Sequence, residues 1–413
     1  MDYISLKNNI INLLKNEHLK QIPSVPILRS TTQKPFFTFS SILVVYDKFL
    51  SSDEKDIEFI IQPCVRSLES YKLKYNPIVS NFQELLSIFS YKHRKISYYI
   101  NLFDELNKKF LSLEKNRLYW QVQSTNSEVK KALRQNDFYN IIDSKSEQLR
   151  CDLPEITDNA FYLKVLYEYR NGLVPICNFV LIDQDKDSSR LDCAIFLDRL
   201  HFIINQKENV YDTELYSGLV NFFVEKSIPY TESCRLSSLL RTSLVLLLNG
   251  VLPESKRAGY FTRKILREFF AFCYTHDFDV NSEIDNLLKF GIDSLIKMGT
   301  NIDIVNSKKD NEEVKRIITY EYTQWKTTQQ KEIKLASKKI RNLSYVDRNR
   351  VDMLKDTYGI HEEVLKRIVE DSNINFERNP NEIEYSNRFL PYPFDKKRDF
   401  TPLSWFSQSR FSI

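Results

Sequence analysis

The chain has 413 residues, of which 42% are hydrophobic and 28% are charged, and this balance predicts a soluble globular protein of two or three domains. The net charge of +4 is too small to indicate nucleic-acid binding by itself, so any basic surface must be local. Six cysteines without a CxxC pair favour a reduced, cytoplasmic protein, and the longest apolar run, Leu244–Leu248, is too short to span a bilayer, so no membrane partner is expected.

The first half of the chain mixes helix and strand patterns. Residues 5–19 have the apolar spacing of an amphipathic helix. Runs rich in β-branched and aromatic residues predict strands at 36–49, 57–65, 82–88, 118–122, 174–182 and 190–195. Between the strands, helices are expected at 98–113 and 197–204. The pattern indicates a mixed α/β region.

From about residue 227 the pattern becomes helical. Apolar residues recur with a period of 3.6 over 236–248, 260–273, 282–297, 311–342 and 362–371. A turn is expected after Asn249-Gly250, and the helix after it carries three basic residues on neighbouring turns, Arg263, Lys264 and Arg267. Glycine is rare in this chain, with 7 in 413 residues, yet Gly250 and Gly259 lie close together here.

The string RTSLVLLLNGVLPESKRAGYFTRKILR (241–267) resembles the helix-turn-helix that opens the tRNA-recognition domain of alanyl-tRNA synthetases. The resemblance implies an α+β fold, in which a class II synthetase-type antiparallel sheet with flanking helices precedes an all-helical domain. It implies a catalytic domain at 1–225 and a helical tRNA-recognition-like domain at 226–385. An aromatic C-terminal tail remains at 386–413, and we expect it to dock on the fold. The matching strings cover only the catalytic and tRNA-recognition domains of the family's proteins.

Three further strings resemble segments of the same family and imply a nucleotide site. QPCVR (62–66) is similar to the family's QPCIR, and FQELLSIFS (82–90) to FFEMLGNFS. DCAIFLDRL (192–200) resembles DTGMGLERL. The resemblance implies that ATP, with Mg²⁺, binds at Arg66, Phe82, Glu84 and Arg199. It implies catalytic roles for Arg66 and Arg199, with the aromatic ring of Phe82 available to adenine.

Two strings imply an amino-acid site beside the nucleotide. DFYNIID (137–143) resembles NFWEMGD, and PICNFVLI (175–182) resembles EIWNLVFM. The residues that the resemblance assigns to a small amino acid are Tyr139, Asn178, Asp192 and Ala194. On the helical side it assigns the acceptor stem of a tRNA to Ser255, Arg263, Lys264, Arg267 and Glu377. No metal site of the protein is expected, because the five histidines lack zinc-type spacing.

The chemistry of these residue types agrees with such roles, although plainer roles remain open. Guanidinium groups pair with phosphate in bidentate geometry and stabilise charge on a phosphoryl centre. Asp192 could hold a substrate ammonium by a charge-assisted bond. The alternatives are that Arg66 ends a strand, that Arg199 is an exposed helix residue and that Asp192 belongs to a turn. A satisfied structural amide is the alternative for Asn178.

The chain departs from the family pattern near the chemistry. Ala194 and Phe196 replace glycines, Cys177 replaces a tryptophan, and Ser255 stands where the family has an asparagine. The loop after Arg66 is Ser67-Leu68-Glu69-Ser70, without the family's glycines and lysine. Glycine permits close approach of backbone to a ligand, so a phenylalanine at position 196 either fills part of the site or redirects the strand.

Three functions compete on this evidence. The first is ATP-dependent activation of a small, alanine-like amino acid and its transfer to tRNA. The second keeps the activation step but delivers the acyl group to a carrier protein or an amine. The third is a catalytically inactive relative that binds tRNA or a protein. The 241–267 string favours tRNA over a carrier protein, and a homo-oligomer is a further candidate assembly.

Overall fold

The structure is a computed structural model that describes residues 1–29, 37–51, 56–66, 78–153, 155–170, 172–299, 308–341 and 343–377. Its centre is an eight-stranded sheet with the order β1-β2-β3-β8-β7-β6-β4-β5. The strands are β1 (Lys20–Gln21), β2 (Ile57–Val65), β3 (Phe82–Lys95), β4 (Leu118–Gln123), β5 (Asn140–Ser144), β6 (Ala160–Tyr169), β7 (Gly172–Asp185) and β8 (Ser188–Phe196).

The middle of the sheet is antiparallel. Neighbours from β2 across to β4 all run in opposite directions, while the outer pairs β1–β2 and β4–β5 are parallel. The long strands β3, β7 and β8 are buried over most of their length. Such strands need cover on both faces, because each face carries apolar side chains.

Two hydrophobic clusters provide that cover. The larger one lies on the face packed by helices α1 (Tyr3–Asn16) and α3 (Ile96–Leu106), and it includes Phe179 and Ile195 from the sheet. The smaller one lies on the opposite face, where Ile42 and Phe49 pack against sheet residues such as Val180. We call this second side the site face, since the candidate polar residues described below lie on it.

Helices dominate the chain after the sheet. The remaining helices of the described residues are α2 (Tyr46–Ser51), α4 (Ser127–Gln135), α5 (Ser146–Leu149), α6 (Leu197–Ile204), α7 (Ser217–Glu225), α8 (Tyr230–Leu248), α9 (Arg257–Thr275), α10 (Val280–Met298), α11 (Lys308–Ile340), α12 (Arg348–Tyr358) and α13 (Glu362–Asp371). A short parallel ribbon, β9 (Tyr345–Val346) with β10 (Asn375–Phe376), is the exception.

The expected fold class is confirmed: a sheet with flanking helices precedes a helical region. Helix α8 joins the two parts, because the backbone N–H of Asn81 donates to Ser238 at 3.2 Å and Arg241 lies against the ring of Phe82. The domain boundaries at 225 and 385 stay predictions. The predicted docking of the tail 386–413 lies outside the described residues.

One predicted strand is wrong. Within 36–49 the described residues form a 3₁₀ turn at Ser41–Val44 and the start of α2. The apolar residues Ile42, Val45 and Phe49 are spaced by three and four, and all three pack into the cluster on the site face. That spacing belongs to a helix, and the aromatic and β-branched composition concealed it.

No helix in the described parts of the chain is both long enough and apolar enough to cross a membrane.

The turn between α8 and α9 generates a stability prediction. A Cβ atom at Gly259 would lie 2.5 Å from the carbonyl oxygen of Leu252, so Gly259→Ala forces the turn backbone to move. We expect the free energy of unfolding to fall by about 1–3 kcal/mol. The matched control is Gly218→Ala in α7, where the nearest atom is Phe290 Cδ1 at 3.9 Å. The control should be neutral or gain up to about 1 kcal/mol. Denaturant titration measures both, and equal values would contradict the packing argument.

Candidate functional site

Strand register brings the candidate amino-acid residues into line. Asn178 on β7 pairs with Ala194 on β8 and with Lys164 on β6. Asp192 lies two residues before Ala194, so both side chains are on the same face of β8. Ala194 in turn pairs with Ser87 on β3, whose hydroxyl is hydrogen-bonded to that of Ser41. We call Ser87, Ala194, Asn178 and Lys164 the central row.

Two polar atoms at this place are buried without a hydrogen-bond partner in the described part of the chain, one on Asn178 of the row and one on Asp192 beside it. Asn178 is 5% exposed and Asp192 is 6% exposed. The Oδ1 atom of each accepts no hydrogen bond from the residues that the structure describes. Burial raises the pKa of Asp192 from its usual value near 3.8 to about 7. Buried acceptors without donors are costly in a folded protein, so these two oxygens are candidates for contact with a ligand.

Arg66 belongs to the same neighbourhood. It follows the last residue of β2, and its backbone N–H donates to the carbonyl of Asn81 at 2.7 Å. Burial lowers the pKa of Arg66, and the groups whose charges oppose that shift are Cys64 and Tyr162. Burial also raises the pKa of Tyr162, where Asp192 adds to the shift and Arg66 opposes it. Tyr162 therefore interacts electrostatically with both Arg66 and Asp192.

Arg199 follows the strand that carries Asp192. It is in the first turn of α6, is 3% exposed, and donates to the carbonyl oxygens of Pro175 at 2.8 Å and Ile78 at 3.3 Å. Its guanidinium carbon lies 3.9 Å from the centre of the Phe196 ring. Phe196 packs with Cys64 and Leu85 in a small buried cluster. This cluster therefore lies between Arg66 and Arg199.

The structure does not bring the other two predicted nucleotide residues to the site face. Phe82 and Glu84 alternate with Leu85 along β3 and belong to the opposite side. The ring of Phe82 is buried there with Arg241 at 5.6 Å. Glu84 forms an ion pair with Lys7 of α1 at 2.9 Å. Stacking of Phe82 on adenine would require a different arrangement of β3.

Tyr139 is also outside the central row. It precedes β5, is 69% exposed, and its hydroxyl donates to Asp137 at 3.0 Å. Of the four residues predicted to bind the amino acid, the structure therefore brings together Asn178, Asp192 and Ala194.

Most of the predicted tRNA residues lie on one surface of the helical region. Ser255 is exposed in the turn before α9, while Lys264 and Arg267 are exposed on that helix. Arg263 is partly buried and faces Glu321 of α11 at 3.5 Å. Glu377 lies elsewhere, after β10, where its carboxylate accepts the backbone N–H of Arg348 at 2.5 Å. The carboxylate of Glu377 thus has a structural partner.

The sequence prediction missed two residues of the site, Tyr162 and Lys164. Both are on β6, a strand that was not predicted. The segment AFYLKVLYEY (160–169) contained a signal for them. Tyr162 and Lys164 are two residues apart in an otherwise apolar run, which is the spacing of one face of a strand. In the described part of the chain, no group of three histidine, cysteine, aspartate or glutamate side chains could hold a metal ion.

Comparison with known proteins gives one family. The family model described as "tRNA synthetases class II (A)" matches residues 156–388. An alanine–tRNA ligase from Rickettsia canadensis (strain McKiel) is 25% identical over 341 residues, covering 71% of this chain and 37% of that protein. One from Endomicrobium trichonymphae is 20% identical over 425 residues, covering 91% of this chain and 47% of that protein. The chain thus spans less than half of the length of either relative.

The buried carboxyl generates a pH prediction. Because the pKa of Asp192 is about 7 when folded and near 3.8 when unfolded, the folded state retains a proton that the unfolded state loses. Asp192 therefore lowers stability as the pH rises from about 4 to 7, by at most about 4 kcal/mol. Asp192→Asn removes this loss. We expect the variant to gain stability relative to the natural chain between pH 4 and 8, measured by urea titration. A pH-independent difference would contradict the burial of an unpaired carboxyl.

Proposed function

The chain belongs to the class II tRNA synthetase family as a divergent alanyl-type member, and we propose that it activates a small α-amino acid with ATP and transfers it to tRNA. In the first step a carboxylate oxygen attacks the α-phosphorus of ATP, and pyrophosphate leaves. In the second step a terminal hydroxyl of the tRNA attacks the acyl carbon, and AMP leaves. Both steps conserve atoms and need no other reactant.

The observation that carries the proposal is the pair of unpartnered oxygens on Asn178 and Asp192. A substrate ammonium can donate hydrogen bonds to both acceptors. It also neutralises the carboxylate of Asp192, whose charge is costly to bury without a partner. Ala194 adds no bulk beyond a methyl group between them. The site is thus suited to an α-ammonium and a small side chain, such as that of alanine, serine or glycine.

Arg66 and Arg199 would act on the nucleotide. Both lie at strand ends that border the Phe196 cluster, one on each side of it. In this role Arg66 stabilises the charge that develops on the α-phosphate, and Arg199 binds the outer part of ATP. Mg²⁺ would arrive with ATP and be held mainly by its phosphates, since proteins commonly bind it through one or two carboxylates plus substrate phosphates.

The exposed basic residues of α9 support tRNA as the acceptor. Lys264 and Arg267 lie on one helix beside Arg263, and such a cluster can neutralise several phosphates. We propose that this surface, with Ser255, contacts the acceptor stem. A carrier protein or an amine as the acceptor is the alternative within the same activation chemistry. Charging of tRNA distinguishes them. A cytoplasmic location accompanies the proposal.

A second candidate function, a relative that binds tRNA without catalysis, is favoured by one contact. The Phe196 ring covers one face of the Arg199 guanidinium at 3.9 Å. A ring in that place competes with any aromatic base that would use the same face.

The activity is tested by amino-acid-dependent ATP–pyrophosphate exchange, followed by charging of tRNA. We expect exchange with a small amino acid, and a loss of about 100-fold or more in Arg66→Ala, because one transition-state donor contributes that much. The matched control is Arg134→Ala, since Arg134 is exposed on α4, far along the chain from the site. Full exchange in Arg66→Ala would remove Arg66 from its proposed role. Exchange without charging would favour another acceptor.

The second candidate is tested by Phe196→Leu, which keeps apolar volume but removes the ring from Arg199. If the ring competes with adenine, binding of a non-hydrolysable ATP analogue should tighten about two- to thirty-fold. Phe89→Leu, another buried phenylalanine of the site face, is the matched control and should leave binding unchanged. Weaker binding in Phe196→Leu would mean that the ring supports the nucleotide site instead. Isothermal titration measures all three proteins.

A further inference from the structure

Lys164 is a third buried polar group of the central row. It is directly opposite Asn178 on the neighbouring strand and is 8% exposed. On its other side it pairs with Gln121 of β4, whose amide donates to Ser144. The side chain of Lys164 therefore lies on the site face, in register with the residues that hold the candidate amino acid.

The ammonium of Lys164 has no anionic partner among the residues that the structure describes. Its Nζ lies 5.3 Å from the centre of the Tyr162 ring. Burial lowers the pKa of Lys164, while the nearby thiol of Cys151 opposes that shift. Lysines that are mostly buried normally have a carboxylate or several acceptors beside them. An ammonium without an anionic partner, close to the unpaired oxygens of Asn178 and Asp192, points to a ligand.

Position decides which anion fits. Arg66 and Arg199 lie at the ends of β2 and β8, where the nucleotide is proposed to bind. Lys164 instead lies within β6, beside Asn178 and across from the Asp192 strand. The strands of Lys164 and Asp192 are two apart, which is about 10 Å across a sheet. A molecule of amino-acid size can lie between the two side chains with a positive end at Asp192 and a negative end at Lys164.

We propose that Lys164 is a specificity-determining residue that binds an anionic side chain of the substrate, so that the preferred substrate is a small acidic α-amino acid. The inference rests on the proposed function and gives its small amino acid an acidic side chain in place of the uncharged ones named above. Aspartate, which is alanine with a carboxylate added, is the probe that carries this chemistry. Asparagine has nearly the same shape without the charge, and alanine lacks the group altogether.

The test compares these three amino acids on the full chain, by isothermal titration with a non-hydrolysable ATP analogue present and by pyrophosphate exchange. We expect the natural chain to bind aspartate about ten- to a hundred-fold more tightly than asparagine or alanine. Lys164→Met should abolish that preference, because aspartate binding falls to the level of asparagine and alanine. Lys130→Met is the matched control, because Lys130 lies on α4 and pairs with Asp143 instead. It should keep the preference.

The outcomes separate the two proposals. Alanine binding and exchange without any preference for aspartate would overturn the inference about Lys164 and leave the proposed function standing. Weaker binding of the ATP analogue in Lys164→Met, with amino-acid binding unchanged, would assign the ammonium to a phosphate and also overturn it. If no amino acid binds to the natural chain, both proposals fall. If both variants have an equally lowered thermal midpoint, general destabilisation does not explain a loss of aspartate binding that occurs only in Lys164→Met.

Discussion

The register between β7 and β8 is the constraint on which the site depends. With Asn178 opposite Ala194, the two strands send Cys177 and Cys193 into the main core, where their sulfurs approach to 3.5 Å. The alternate residues then face the other side. A slip of one residue would exchange the two sets and place buried apolar side chains where the polar groups now lie. The core therefore fixes the position of Asn178 and Asp192 before any ligand is present.

A buried cation connects this sheet to the helical region. Arg241 of α8 is 1% exposed and lies against the rings of Phe82 at 5.6 Å and Tyr216 at 4.3 Å. Burial raises the pKa of Asp198, and the positive charges of Arg199 and Arg241 oppose that shift. Asp198 thus interacts electrostatically with Arg199, a proposed nucleotide residue, and with Arg241 of the helical region. Phe82 has a structural partner in this arrangement, which accounts for its place away from the site face.

The sequence predicted much of the fold because long, regular segments carry clear patterns. The strands at 57–65 and 190–195 and most helices after Pro229 were predicted nearly where they occur, but the helix Arg348–Tyr358 was not predicted. Segments whose composition and spacing disagree were not: Ile42, Val45 and Phe49 have a strand-like composition but helical spacing. The missed strand β6 lies on the far side of β7, so only the tertiary pairing reveals that Lys164 faces Asn178.

The site residues followed a different rule. Matching strings named Arg66, Asn178, Asp192 and Arg199 as candidates. Similar strings also named Phe82, Glu84 and Tyr139, whose side chains point elsewhere. A string match gives position along the chain, whereas the face of a strand is decided by alternation and by what packs on each side. Asn178 and Asp192 satisfy both conditions. Their unpaired oxygens supply the independent signal that the strings lack.

The departures from the family pattern fall unevenly across the site. At the end of β8, Phe196 fills space with a ring that packs on Cys64, Leu85 and Arg199, and it gains contact energy without any ligand. At and beside the central row the opposite holds, because one oxygen of Asn178 and one of Asp192 are buried without a hydrogen-bond partner among the described residues, at a cost in stability. Stability alone favours replacing such charges with apolar residues of similar volume. The unpaired Asp192 beside a packed Phe196 therefore supports the proposal that this face binds a charged small molecule more readily than it stacks a nucleotide base.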